Sequence, residues 1–128
     1  MDSRTEEILL RFSDSWDETE KFYDDLINNY PGWDRLKPIS NYIIKLREKG
    51  EHKYFRLGTS MHTLIISRSV NFGLRDDQKC IKIEAVNMDD YEVTMRDAKK
   101  IYREYRINNL EDPRLEKLIA TLKSTLVD

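Results

Sequence analysis

The feature that most constrains this fold is a regular spacing of apolar and aromatic side chains near the N-terminus. The members, with one threonine among them, follow at alternating intervals of three and four residues: Leu9, Phe12, Trp16, Thr19, Tyr23, Leu26 and Tyr30. Such spacing places side chains on one face of an α-helix and is close to a heptad seam. Pro31-Gly32 ends the pattern, because proline cannot continue a helix and glycine accepts a left-handed turn. The sequence predicts one long helix over about residues 4–29, either continuous or broken near residues 13–15.

Two further helices are indicated by shorter apolar stripes. The first stripe consists of Leu36, Ile39, Tyr42, Ile43 and Leu46. Pro38 fits its first turn, where a missing amide hydrogen costs little, and Gly50 is a suitable stop. The short link to the preceding helix predicts an antiparallel pair. Near the C-terminus, Asp112-Pro113 combines an N-cap with a proline at the first helical position. The apolar face that follows consists of Leu115, Leu118, Ile119, Leu122 and Leu126.

Between these helices the pattern changes to short β-branched or aromatic runs. The runs are residues 53–57, 62–69 and 79–86, and turn residues occupy 58–60, 71–73 and 76–77. In the third run Ile81, Ile83 and Ala85 alternate with charged neighbours, as in a half-buried strand. Residues 89–109 fit either a β-hairpin or a helix, because apolar residues follow Tyr91 at both spacings. The hairpin is favoured, since it extends the preceding alternation.

Together these elements predict a single α+β domain spanning residues 1–128. The expected parts are an N-terminal antiparallel helix pair, an antiparallel β-meander of four to five strands and a C-terminal helix. Helices packed on one face of the sheet would bury all of the apolar stripes.

Composition excludes several classes of protein. The longest apolar run, 64–66, is far shorter than the roughly 18 residues of a membrane helix, and the acidic N-terminus is unlike a signal peptide. Cys80 is the only cysteine, which indicates a reducing, cytoplasmic location. The four glycines are isolated, so no phosphate-binding loop is expected. Cys80, His52 and His62 are too scattered for a zinc site. We therefore expect no cofactor, no metal and no membrane partner.

Ser60 and His62 are the best candidates for a catalytic pair. Two residues apart on an extended segment, they would face the same side, and Asp76 or Asp77 could orient the imidazole. However, no nucleophile elbow with flanking glycines accompanies the serine. A small hydrolase is therefore the least favoured hypothesis, and the sequence assigns no catalytic residue.

The formal net charge of −2 conceals a strong asymmetry along the chain. Residues 1–34 hold ten acids and three bases, whereas residues 35–110 hold sixteen bases and ten acids. Such asymmetry often marks an interaction surface. It favours a non-enzymatic protein-binding module that uses its acidic first helix, either to inhibit a basic partner or to self-associate. The predicted partner-binding residues are Trp16, Asp17, Asp24 and Tyr30.

The alternative hypothesis is a nucleic-acid accessory factor. Residues 99–106 interleave bases with tyrosines, and nucleic-acid platforms combine arginine contacts to phosphate with aromatic stacking on bases. Glu104 lies within this segment and would repel phosphate, so the hypothesis ranks second. The predicted nucleic-acid-binding residues are Arg35, Lys37, Lys53, Arg56, Tyr102 and Arg106.

Overall fold

The computed structural model describes residues 3–69, 79–97 and 100–125, which form three α-helices and a five-stranded sheet. The helices are α1 (Ser3–Asn29), α2 (Lys37–Glu48) and α3 (Pro113–Lys123). The strands are β1 (Arg56–Ser60), β2 (Thr63–Ser67), β3 (Lys79–Asn87), β4 (Asp90–Asp97) and β5 (Lys100–Ile107). Short 3-10 turns at Asp34–Leu36 and Glu51–Lys53 flank α2. The predicted α+β class, helix pair, meander and C-terminal helix are confirmed.

All neighbouring strands of the sheet are antiparallel, and their spatial order is the chain order, β1-β2-β3-β4-β5. Ser60 pairs with Thr63, so a two-residue turn joins β1 to β2. Met61 in this turn has a φ of 57°, and Asp89 between β3 and β4 has a φ of 52°. The predicted turn residues 71–73 and 76–77 lie outside the described part of the chain.

Residues 90–97 and 100–107 form the paired strands β4 and β5, so the helical alternative for this segment is wrong. Tyr91, Val93 and Met95 are all buried, and the residues between them are only partly buried. A hairpin points all three inward, whereas a helix would divide them between faces. The pairing register shifts beside Met95, where Tyr102 of β5 has no opposite residue in β4. Such a bulge locally bends and twists the strand.

Helix α1 is continuous through residues 13–15, where a break was one of the two expectations. The Ser15 hydroxyl donates to the carbonyl oxygen of Phe12 at 2.6 Å and also accepts from the backbone N–H of Leu57 at 3.0 Å. Serine lowers helix propensity because its hydroxyl competes for backbone groups. Here the hydroxyl binds inside the helix and across to the sheet, so the helix is not interrupted.

The predicted ends of α2 and the predicted start of α3 are also confirmed, whereas Leu126 of the predicted α3 face lies outside the described residues. Pro38 lies in the first turn of α2, and Gly50 follows the helix with a φ of 84°, a left-handed conformation that suits glycine. The Asp112 carboxylate accepts from the backbone N–H of Arg114 at 2.9 Å, which makes it the N-cap of α3. Pro113 follows at the first helical position.

The core is one cluster between one face of the sheet and the inner sides of the three helices. Its sheet residues are Leu57, Leu64, Ile66, Ile81, Ile83, Ala85, Tyr91, Val93, Met95 and Ile107. Its helical residues include Trp16, Tyr23, Leu36, Ile39, Ile43, Leu46, Leu115, Leu118, Ile119 and Leu122. On the opposite face, β3 and β4 present polar side chains such as Lys82 and Thr94, which are only partly buried. Among the described residues, no helix is long and apolar enough to cross a membrane.

Candidate functional site

The inner face of α1 covers the free edge of β1. The Trp16 indole Nε1 donates to the carbonyl oxygen of Phe55 at 2.9 Å, and the backbone N–H of Leu57 donates to Ser15. In the turn that follows β1, the carbonyl oxygen of His62 accepts a hydrogen bond from the Tyr23 hydroxyl at 3.0 Å. These bonds satisfy backbone groups that a sheet edge would otherwise leave unpaired.

The prediction that Trp16 contacts a partner is therefore corrected. Its side chain is fully buried: the indole ring lies in the core, and the indole N–H donates a hydrogen bond to the Phe55 carbonyl oxygen beside β1. A residue in this position supports the helix from inside and presents no surface to another protein. The aromatic seam is a packing device here, and only its last member, Tyr30, is 60% exposed.

The outer face of α1, opposite the aromatic seam, carries exposed acidic residues. We define the acidic face as the exposed carboxylates Asp14, Asp17, Glu18, Asp24 and Asp25. Arg47 of α2 reaches this face, with its Nη1 atom 2.8 Å from Asp17 and 3.1 Å from Glu20. The hydrogen bond that Arg47 donates to the Asp17 carboxylate raises the pKa of Arg47 above its usual value. The N-terminal half of the acidic face is thus partly neutralised.

Asp24 and Asp25 form the unneutralised half of the acidic face. Both are exposed, and neither has an ion pair with any residue of the described part of the chain. They lie just before the last turn of α1, which holds no basic residue. Carboxylates near the C-terminal end of a helix are disfavoured by the helix dipole, an effect that falls off within the last turn. Neither the dipole nor an ion pair among the described residues stabilises these two acids.

The basic residues of the nucleic-acid hypothesis are mostly engaged within the fold. Arg35 donates from Nε to the carbonyl oxygen of Ala85 at 3.1 Å and stacks over Trp33 at 4.6 Å. Arg106 forms two bonds to Asp90, at 2.6 and 2.9 Å, which raise the pKa of the arginine. Lys37 lies 3.4 Å from the carboxylate of Asp34.

The remaining members of that set are far apart. Arg56 lies on β1 and is partly buried, and burial lowers its pKa. Tyr102, 53% exposed, lies on β5 at the opposite edge of the sheet. Four strand spacings separate these edges, which is about 19 Å. Lys53 is exposed in the turn before β1. The structure thus does not bring these six residues into one continuous surface.

Ser60 and His62 are not arranged as a nucleophile and its base. Ser60 is exposed at the end of β1 and lines a shallow polar depression of about 360 Å³ on the open sheet face. The His62 ring instead lies against Trp33, with ring centroids 5.3 Å apart, and its Nε2 is 3.6 Å from a carboxylate oxygen of Glu84. No hydrogen bond joins Ser60 to His62 in the described structure, and Asp76 lies outside it.

A larger groove, which the sequence did not predict, lies between α2 and α3. Its volume is about 560 Å³, and its lining combines an apolar floor with charged residues from both helices. Two ion pairs cross it: Lys45 to Glu111 at 2.9 Å and Lys123 to Glu51 at 2.8 Å. The lysines and glutamates beside the apolar stripes of α2 and α3 were the only signal of this groove in the sequence. Their pairing could not be predicted from the sequence, because each ion pair joins residues more than sixty positions apart.

No protein-family model matches this chain, and no curated protein or solved structure is significantly similar to it. Within the described ranges, no group of three His, Cys, Asp or Glu side chains could hold a metal ion. Function therefore has to be inferred from the surfaces themselves.

Proposed function

We propose that this chain is a non-enzymatic binding module whose acidic face on α1 docks a basic region of another protein. The observation that carries the proposal is the pair Asp24 and Asp25, exposed, without ion pairs among the described residues and placed where the helix dipole disfavours them. Residues that break a local rule without a compensating contact are often kept for function. A basic partner would supply the missing counter-charge.

Tyr30 gives this surface an apolar contact beside the charges. It directly follows α1 and is 60% exposed. Tyrosine is enriched among the residues that dominate binding energy at interfaces, whereas exposed charges mainly accelerate association and select the partner. The proposed interface therefore consists of Tyr30 with Asp24 and Asp25, and Asp17 contributes less because Arg47 already pairs with it.

The fold suits α1 to this role. The inner face is fixed to the β1 edge by Ser15, Trp16 and Tyr23, so a partner can bind the outer face without disturbing the core. A rigid helix also loses little conformational freedom on binding, which favours affinity. We further place the protein in the cytoplasm, a proposal supported by its single cysteine.

The experiment compares capture of proteins from a nuclease-treated lysate by the wild type and by the double variant Asp24→Lys, Asp25→Lys. The matched control is Glu48→Lys, Glu104→Lys, which makes the same charge change at two exposed acids outside the acidic face. We expect one protein to be retained by the wild type and the control, lost by the Asp24/Asp25 variant and weakened by Tyr30→Ala. Retention should fall as salt rises.

The Asp24/Asp25 variant should be at least as stable as the wild type, because lysines near a helix C-terminus interact well with the dipole. Loss of binding can therefore not be ascribed to unfolding. Equal capture by the wild type, the Asp24/Asp25 variant and the Glu48/Glu104 control, or no retained protein at all, would overturn the proposal. Binding that is seen only when the nuclease is omitted would point to nucleic acid instead.

A further inference from the structure

We infer that the groove between α2 and α3 binds a small zwitterion with an apolar body, of the amino-acid or short-peptide type. The site is separate from the acidic face of α1, so the inference goes beyond the proposed function and does not depend on it. A volume of about 560 Å³ lies within the range of small-molecule pockets. The ligand chemistry follows from the floor and the charges of the groove.

The floor of the groove is apolar. Leu46 of α2, Leu110 before α3 and Ile119 of α3 line it, and each is less than a tenth exposed. The Tyr42 ring and Ala120 complete this surface. Binding of an apolar group is favoured when it removes the apolar surface of a concave site from water. The body of the ligand is therefore expected to be a branched or aromatic hydrocarbon group.

The charged rim is balanced by ion pairs except at two residues. Lys45 pairs with Glu111, and Lys123 pairs with Glu51, so four of the six charges cancel. Lys49 and Glu116 also line the groove, and neither has an ion pair with a described residue. One free ammonium and one free carboxylate remain. Their complement is a ligand that carries one carboxylate and one ammonium group.

The two charges act on different neighbours in the groove. Lys49 acts near Glu111, whose pKa is lowered first by its hydrogen bond to Lys45 and further by Lys49. Glu116 acts near Tyr42, whose pKa is raised by burial and then by the carboxylates of Glu116 and Glu51. The ligand carboxylate is thus expected on the Lys49 side, and its ammonium beside Glu116.

Tyr42 adds a hydrogen-bond donor to the groove. The phenol is protonated at neutral pH, and burial raises its pKa further. Among the described residues its hydroxyl has no hydrogen-bond partner. On the same side, the Oε2 atom of Glu51 is buried without a hydrogen-bond partner. A buried acceptor without a partner is costly, and a ligand ammonium would supply the missing donor.

The test measures binding of three related probes by NMR titration of the whole protein. L-phenylalanine carries both charges, N-acetyl-L-phenylalanine only the carboxylate, and L-phenylalaninamide only the ammonium. We expect L-phenylalanine to bind saturably and each single-charge probe to bind about tenfold more weakly, which corresponds to the loss of one charged contact. The shifted resonances should belong to groove residues such as Tyr42, Leu46 and Ile119.

Two charge-removing variants give a crossed pattern that a merely structural effect cannot produce. Lys49→Gln should weaken the binding of L-phenylalanine and N-acetyl-L-phenylalanine but leave that of L-phenylalaninamide unchanged. Glu116→Gln should weaken the binding of L-phenylalanine and L-phenylalaninamide but leave that of N-acetyl-L-phenylalanine unchanged. Lys117→Gln and Glu48→Gln remove the same charges at exposed positions outside the groove and should change nothing. Absence of saturable binding up to about 10 mM, equal binding of all three probes, or variants without the crossed pattern would each overturn the inference.

Discussion

The two edges of the sheet are protected in different ways. At the β1 edge, a helix covers the strand, and buried side chains bond to its backbone through Trp16 and Ser15. At the β5 edge, no described element pairs with the outer side of the strand, and nearly all of its residues are exposed. There the carbonyl oxygens of Tyr102 and Arg106 accept from two arginine side chains, Arg103 at 2.9 Å and Arg114 at 3.4 Å.

The difference is between a buried cover and an exposed, charged one. The β1 contacts are buried and form part of the core cluster, so they contribute to the stability of the fold. The two arginines at the β5 edge, one from β5 and one from α3, are exposed and stack on tyrosines of the strand: Arg103 on Tyr102 at 4.4 Å and Arg114 on Tyr105 at 5.2 Å. Charges and bulges on an edge mainly prevent pairing with other chains. One edge therefore serves stability and the other serves solubility.

The largest expected effect comes from removing the centre of the β1 cover. Trp16→Ala should lower the free energy of unfolding by about 3–5 kcal/mol, because it empties a large core volume and leaves the Phe55 carbonyl oxygen unpaired. Urea denaturation measures this change. Leu10→Ala is the control, since Leu10 is 62% exposed on the same helix and should change stability little. A loss below about 1 kcal/mol for Trp16→Ala would show that α1 is not a structural cover.

The second effect isolates a single hydrogen bond of that cover. Ser15→Ala leaves the buried N–H of Leu57 without a partner, which should cost about 1–3 kcal/mol despite the better helix propensity of alanine. Ser13→Ala is the matched control, because Ser13 makes only a 3.4 Å contact with Arg47. Amide hydrogen exchange at Leu57 should accelerate in the first variant only. Equal exchange rates and equal stabilities of the two variants would contradict the assignment.

The third effect depends on pH and concerns the last contact of the cover. Tyr23→Phe removes the bond to the His62 carbonyl and should cost about 0.5–1.5 kcal/mol near neutral pH. Burial raises the pKa of Tyr23 well above its ordinary value of 10.0. Because the folded-state pKa is raised, this contribution is fully present below about pH 10 and is lost as the pH rises further.

Alkaline denaturation separates that ionisation from packing. Above about pH 10, each buried tyrosine should cost up to about 1.4 kcal/mol of stability per pH unit. The wild type should therefore lose stability more steeply than Tyr23→Phe, in which only Tyr42 and Tyr91 retain raised pKa values. Parallel stability curves above pH 10 would mean that the Tyr23 phenol is accessible to water.

The sequence predicted the helices well because their signals are local. The alternating spacing up to Tyr30 requires a helical period, and Asp112 with Pro113 marks a helix start within two residues. The sequence could not predict which part of the fold the seam of α1 packs against. The partners of Ser15 and Trp16 are backbone groups about forty residues away, and a backbone N–H or carbonyl has no signature in the sequence.

The same limit explains the result for the candidate site. An aromatic seam is equally compatible with a core and with a partner surface, so Trp16 was predicted at the interface although it is buried. Exposed carboxylates such as Asp24 could be predicted, because a helix with one apolar face must turn its charged residues to water. Whether a base neutralises them depends on tertiary contacts, as the Arg47 pair with Asp17 illustrates.

The smallest effect on stability, and the sharpest test of the comparison, is at the β5 edge. The double variant Arg103→Ser, Arg114→Ser removes both side chains that bond to the edge carbonyls. It should change the free energy of unfolding by only about 0.5 kcal/mol, because contacts of exposed charged side chains contribute little to stability. It should nevertheless increase self-association, measured by sedimentation velocity over a range of concentrations, since an edge with fewer charges pairs more readily with a second copy.

The control for this variant is Lys21→Ser, Lys117→Ser, which removes two exposed positive charges away from the edge. If both double variants associate equally, the cause is the change in net charge, because lower repulsion acts on the whole surface. If only the Arg103/Arg114 variant associates, and a proline at Glu104 in the same background restores the monomer, strand pairing through β5 is the cause. Proline removes a backbone donor and is therefore tolerated at an edge while blocking further pairing. A variant that stays monomeric would show that the bulge at Tyr102 protects the edge without the arginines.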